Sequence, residues 1–105
     1  MKLTVLDRLL VLSILPTEHD ITTLRLMRDL QRNLGFTDEE NTALKFEKLE
    51  NGLKWDTEAV GERDIEIGLS AHASVLKAFK EIDKKKKMTY QLLAVYEKFE
   101  EASNG

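Results

Sequence analysis

Histidines, serines and several runs of charge are the residues of this sequence whose types could do chemistry. His19 stands in "TEHD" among carboxylates, the side chains of a metal site or an acid/base group. Adjacent residues point in different directions, however, and no second histidine stands at ligand spacing, so a surface or capping role suits it better. His72 falls in "LSAHASVL" on the apolar side of an expected helix, the usual setting of a half-buried, hydrogen-bonded histidine. Ser13, Ser70 and Ser74 have no nucleophile-elbow or triad context, and no glycine-rich phosphate loop follows a strand. The chain has no cysteine, which excludes disulfides and thiolate metal sites and fits a reducing compartment. The expectation is a protein with no catalytic residue, no metal and no cofactor, in the cytoplasm.

Charge offers a different chemistry, recognition. Arg25, Arg28 and Arg32 recur at i, i+3 and i+7 and so form one stripe of a helix. Lys84, Lys85, Lys86 and Lys87 close another helix. Both sets suit phosphate, and both have a plainer reading: a solvated face for the arginines, and cations complementing C-terminal carbonyls for the lysines. Glu81 and Asp83 adjoin the lysines, and no aromatic side chains interleave with them as a single-strand stacking platform requires.

The formal charge of −3 is unevenly spread. Residues 1–35 carry five basic and four acidic side chains, residues 36–66 four and ten, and residues 67–105 seven and five. The acidic middle, with Asp38, Glu39, Glu40, Glu47, Glu50, Glu58 and Glu62, suits a basic partner or imitates a nucleic-acid surface; solubility alone is the competing explanation. Trp55 lies beside it, either as an interface anchor or as core. Tyr90 and Tyr96 mark the last helix as a further candidate surface.

The elements that must position these residues are read from periodicity. "MKLTVLDRLLVLSIL" begins with an early lysine and an apolar run, but Asp7 and Arg8 interrupt it, and Leu9–Leu15 falls far short of the roughly 20 residues that span a bilayer. It reads as a buried helix, apolar on more than one face, with Leu9 and Leu12 inside; it is either the central helix of the domain or half of a homodimer seam. Pro16 ends it. Thr17 or Asp20 caps a second helix through Ile21, Leu24, Met27, Leu30 and Leu34, and Gly35 stops it. Thr37 opens a capping box with Glu40, starting a short third helix to about Ala43.

The period then changes. "LKFEKLENGLKWD" sets Asn51-Gly52 between alternating segments, the pair favoured in a type I′ hairpin turn. Leu44 with Phe46, and Leu53 with Trp55, give the hairpin an apolar face to lay on the helices. "TEAVGE" reads as a loop and "RDIEIG" as a short third strand through Ile65 and Ile67. Leu69, His72, Val75, Leu76, Phe79 and Ile82 line a fourth helix starting near Ser70; Leu92, Leu93, Tyr96 and Phe99 line a fifth capped by Thr89, and residues 101–105 fray.

The sum is a single α+β domain: three N-terminal helices, a β-hairpin or three short strands, and two C-terminal helices. Its first half follows the element order of a winged helix-turn-helix. A recognition helix opening "TDEEN" would push carboxylates at phosphates, which argues against ordinary major-groove docking. The phrasing "LDRLLVLSILPTEHDITTLRLMRDLQRNLGFTDEE", then a hairpin and "KKKKMT" before a tyrosine-containing helix, resembles small proteins of bacteriophages and prophages. That resemblance spans most of the chain and implies an intracellular accessory protein that binds a host or virion protein; it transfers no functional residues. The expected function is a non-enzymatic protein-binding module, with no membrane association. The alternative is a winged-helix-like nucleic-acid-binding protein that uses the arginine stripe.

Overall fold

The computed structural model describes residues 1–104. Among them the order is β1 (Lys2–Leu3), α1 (Val5–Ile14), α2 (Ile21–Leu34), α3 (Asp38–Leu44), β2 (Glu47–Leu49), β3 (Gly52–Lys54), β4 (Arg63–Asp64), α4 (Leu69–Lys84) and α5 (Tyr90–Asn104). This is an α+β fold with the expected succession of helices, hairpin and helices. No helix among the described residues is long and apolar enough to cross a membrane.

Caps explain most of the boundaries. Thr4 accepts the Asp7 N–H at 3.1 Å while the Asp7 carboxylate accepts the Thr4 N–H at 3.0 Å, a reciprocal box that starts α1. Asp20 accepts the Thr23 N–H at 2.7 Å, which holds its carboxyl below the usual carboxylate range. Thr37 and Glu40 form the expected box, both bonds 3.0 Å. Thr89 accepts the Leu92 N–H at 3.1 Å at the head of α5. Gly35 does cap α2, yet at φ −62 it has no need of glycine's left-handed freedom. Its use is spatial, because a Cβ there would stand 3.2 Å from the Gln31 carbonyl oxygen.

Of the two expectations for the first helix, the structure gives the central one: α1 packs against β1, α2, α4 and α5. Val11 of α1 and Leu15 at its C-cap join Met27, Leu30 and Leu34 of α2, Val75 and Phe79 of α4, and Val95 and Phe99 of α5, with Leu3 and Ile65 closing the cluster. Phe79 meets Tyr96 edge-on at 5.6 Å and Phe99 at 6.0 Å. Leu9 and Leu12, expected inside, are half-buried, because the helix turns Val11 and Leu15 to the centre.

Several expectations are corrected. Leu3 leaves the first helix to form β1, which pairs antiparallel with β4 in the register Lys2↔Asp64, Leu3↔Arg63. The third strand therefore ends before Ile65, which drops into the core, and it belongs to a sheet separate from the hairpin. In the hairpin Glu47 faces Lys54, Lys48 faces Leu53 and Leu49 faces Gly52, so Glu50 and Asn51 are the loop. Asn51 is not at positive φ, and Gly52 follows at φ +156, which excludes the type I′ turn centred on Asn51-Gly52. Leu44 ends α3 rather than starting a strand, and Lys45 caps it in the left-handed region at φ 51.

The hairpin also does not lie on the helices: all six strand residues are exposed. Only its base is covered, where Phe46 packs on Phe36 at 5.3 Å and on Trp55 at 6.2 Å. Leu69 and Leu93 are exposed, since Ala71 and Val95 take the inward positions of their helices. α5 continues through Asn104, and Gly105 lies outside the described residues.

Candidate functional site

The most elaborate polar arrangement surrounds a residue that the sequence reading treated as an interruption. Arg8 sits one position past the Thr4–Asp7 box, and α1 turns it into the interior, where it is 0% exposed. Its Nε donates to the Leu34 carbonyl at 3.0 Å and Nη2 to that of Gly35, which satisfies carbonyls at the end of α2 that have no intrahelical partner. Nη1 and Nη2 grip the Glu40 carboxylate at 2.8 and 3.1 Å in a bidentate pair. The guanidinium also lies 4.0 Å above the Phe36 ring.

Arg63 completes the group, donating to Glu40 at 2.9 Å and to the Asn33 carbonyl at 2.7 Å. Glu40 thus receives two guanidinium groups and the Thr37 N–H. The Arg8 hydrogen bonds hold its carboxyl at about 2, against the desolvation that works to raise it. Two cations on one carboxylate leave nothing with the basicity of a general base at neutral pH. The chemistry of this cluster is architectural: it ties α1, the end of α2, α3 and β4 together. Asp7 makes a second tie, accepting from Lys98 of α5.

Of the expected protein-binding residues, Asp38 and Glu39 are exposed in the first turn of α3, and Glu47 is exposed on β2. Glu40 turns inward, 13% exposed and committed to Arg8 and Arg63, so it is not offered to a partner. Trp55 is half-buried at the hairpin base, between the core and interface readings. Glu50, Glu58 and Glu62 are exposed and, among the described residues, make no ion pair.

The arginine stripe is solvated as a face: Arg25 and Arg28 are exposed, and Arg32 stands 3.6 Å from Asp29. Lys84 ends α4 and lies 3.6 Å from Glu81, Lys85 caps the helix, and Lys86 takes a left-handed conformation at φ 57. Here the fold brings together what the sequence kept apart. A groove of 450 Å³ between the ends of α4 and α5 is lined by Phe79, Met88, Leu93, Tyr90 and Tyr96, with Lys80 and Asp83 among them. Tyr90 is 92% exposed and Leu93 41%. Of the lysines at this end of α4, Lys80 lines the groove, whereas Lys84 lines a different cleft with His19.

His19 lines a cleft with Ser74, Lys77 and Lys84, but no hydrogen bond joins His19 to Ser74; its Nδ1 accepts the Asp20 N–H at 2.9 Å. His72 lies against the Phe99 ring at 5.3 Å, and its buried Nε2 has no partner, contrary to the hydrogen-bonded histidine expected. Among the described residues no three His, Cys, Asp or Glu side chains are grouped to hold a metal ion. No protein-family model, curated protein or solved structure matches this chain.

Proposed function

We propose that this chain is a non-enzymatic protein-binding accessory module that works through its acidic, hairpin-bearing end. The observation that carries the reading is the hairpin itself. A two-stranded ribbon is marginal on its own, and this one stands clear of the core with Leu49 46% and Leu53 42% exposed on its opposite faces. Around it are unpaired carboxylates of α3, β2 and the following loop, a combination of apolar contact and steering charge suited to a basic protein surface. The resemblance to phage and prophage proteins supports a host or virion protein as the partner and the host cytoplasm as the setting.

A winged-helix-like nucleic-acid role is the second reading, favoured by Arg25 and Arg28, which make no ion pair among the described residues. One experiment separates the two. Wild type and Leu49→Ser/Leu53→Ser are used as baits in a host extract, and labelled duplex and single-stranded DNA are titrated at low and physiological salt with wild type and an Arg25, Arg28, Arg32 triple-alanine variant. A stoichiometric protein held by wild type and lost by the hairpin variant supports the proposal. Salt-sensitive DNA binding lost in the arginine variant replaces it.

A further inference from the structure

We propose that the groove between α4 and α5 receives the hairpin end of a second copy of this chain, so that copies associate head to tail. The inference rests on the hairpin end being a protein-binding surface, and it names what that surface fits.

The placement of charge is the first argument. The start of α4 faces the end of α2, where Gly68 and Ala71 share a cleft with Leu30 and Asn33. The end of α4 faces the α1–α2 connection, where Lys77 and Lys84 meet Pro16 and His19. α3 follows the end of α2 and is locked there by Arg8 and Arg63. The acid-rich elements thus belong to one end of α4 and the lysines to the other, separated by most of a 16-residue helix, about 24 Å long. The lysine end also holds Glu18, Glu81 and Asp83, so the asymmetry is one of surplus, acidic at one end of α4 and basic at the other.

Neither set is satisfied internally. Asp38, Glu39, Glu47, Glu50, Glu58 and Glu62 make no ion pair among the described residues, and neither do Lys80, Lys85, Lys86 and Lys87. Lys48 and Lys54 sit on the strands themselves, so the acidic surplus at that end comes from α3, the hairpin tip and the loop that follows.

Shape is the second argument. The hairpin tip presents Leu49 in the sequence Glu47-Lys48-Leu49-Glu50, a leucine between Lys48 and Glu50 with Glu47 on its own face of the strand. The groove offers an apolar floor of Phe79, Met88 and Leu93 with Tyr90 standing out; Lys80 and Asp83 also line it, and the lysine run leads into it at Met88. Its 450 Å³ lies within the range of about 300–1,000 Å³ typical of clefts that enclose a ligand. Because the two surfaces are different parts of one chain, the contact is heterologous, and repetition closes a ring or extends a filament.

The test is a charge swap read by analytical ultracentrifugation over a concentration series at low and physiological salt. Lys80→Glu/Lys87→Glu reverses the basic side of the groove, and Glu47→Lys/Glu50→Lys reverses the hairpin; far-UV circular dichroism checks that each is folded. Wild type is expected to self-associate, more strongly at low salt. Each variant alone should associate roughly tenfold or more weakly, since like charges then face each other. An equimolar mixture of the two should regain association, because each reversed surface meets an oppositely charged one. A monomeric wild type overturns the proposal, as does association that both variants retain. Loss in both variants without recovery in the mixture also overturns it. A monomer that still captures a foreign protein through Leu49 and Leu53 would leave the protein-binding reading standing while removing this one.

Discussion

Replacing Glu40 by Gln tests the buried network most directly. The carboxylate accepts four hydrogen bonds: Oε1 takes Arg8 Nη2, Arg63 Nη1 and the Thr37 N–H, and Oε2 takes Arg8 Nη1. A glutamine with its oxygen at the Oε1 position keeps three of these acceptances. It then points an amide NH2 at Arg8 Nη1 and leaves the fully buried guanidinium without a counter-charge. Removing one partner of a buried pair costs about 3–5 kcal/mol, and the retained acceptor lowers the expected loss to about 2–4 kcal/mol.

The titration of Glu40 gives a separate measure. Its carboxyl falls from an ordinary value of 4.5 to about 2, worth about 3 kcal/mol before solvent screening and about 2 kcal/mol after it. A depressed carboxylate pKa stabilises the fold above the unfolded value and loses that contribution as pH falls through the folded one. The gap between wild type and Glu40→Gln should therefore be full near neutrality and shrink between about pH 5 and pH 2. Urea unfolding followed by circular dichroism at several pH values reads both quantities; other carboxylates titrate in both proteins and cancel in the difference. Equal midpoints at neutral pH would refute the argument, and so would a gap that does not change with acidity.

Further expectations follow from local geometry. Lys45→Gly should stabilise the domain by about 0.5–1 kcal/mol, because Lys45 occupies the left-handed cap of α3 at φ 51; an unchanged or lower melting temperature would count against that cap. Gly52→Val meets no atom within 4 Å of its Cβ but must adopt φ +156, so a loss of about 1 kcal/mol, confined to the hairpin in amide exchange, is expected. Phe79→Ala, at the meeting of the α4 and α5 rings, should cost about 3–5 kcal/mol, whereas half-buried Leu12→Ala should cost less than half of that in the same denaturation assay.

Features written into adjacent residues were legible in the sequence. The Thr37–Glu40 box, the Asp20 cap, the stop at Pro16 and the hairpin around Asn51-Gly52 each depend on a few neighbouring side chains, and each element is where the pattern puts it. What was missed depends on partners far apart. Two-residue strands have no period to detect, so the pairing of Lys2 with Asp64 left no local trace. Arg8 looked like an interruption of an apolar helix because the groups that neutralise it, Leu34, Gly35 and Glu40, lie 26 to 32 residues away. Glu40 was in turn assigned to the surface for its place in an acidic run. The type I′ turn failed by one position: the dipeptide signals a hairpin, while the register is set by the strand pairs around it.

Arg8 also bears on how the chain reaches this structure. A guanidinium among apolar side chains is tolerable only once the end of α2 and the first turn of α3, with Glu40, have both arrived. A chain with α1 and α2 docked but α3 unformed would enclose a bare charge. Half-assembled forms are thus penalised more than the loss of their missing contacts alone would dictate. Among the described residues Arg8 is the one buried cation, and its needs couple the formation of α1, the end of α2 and α3.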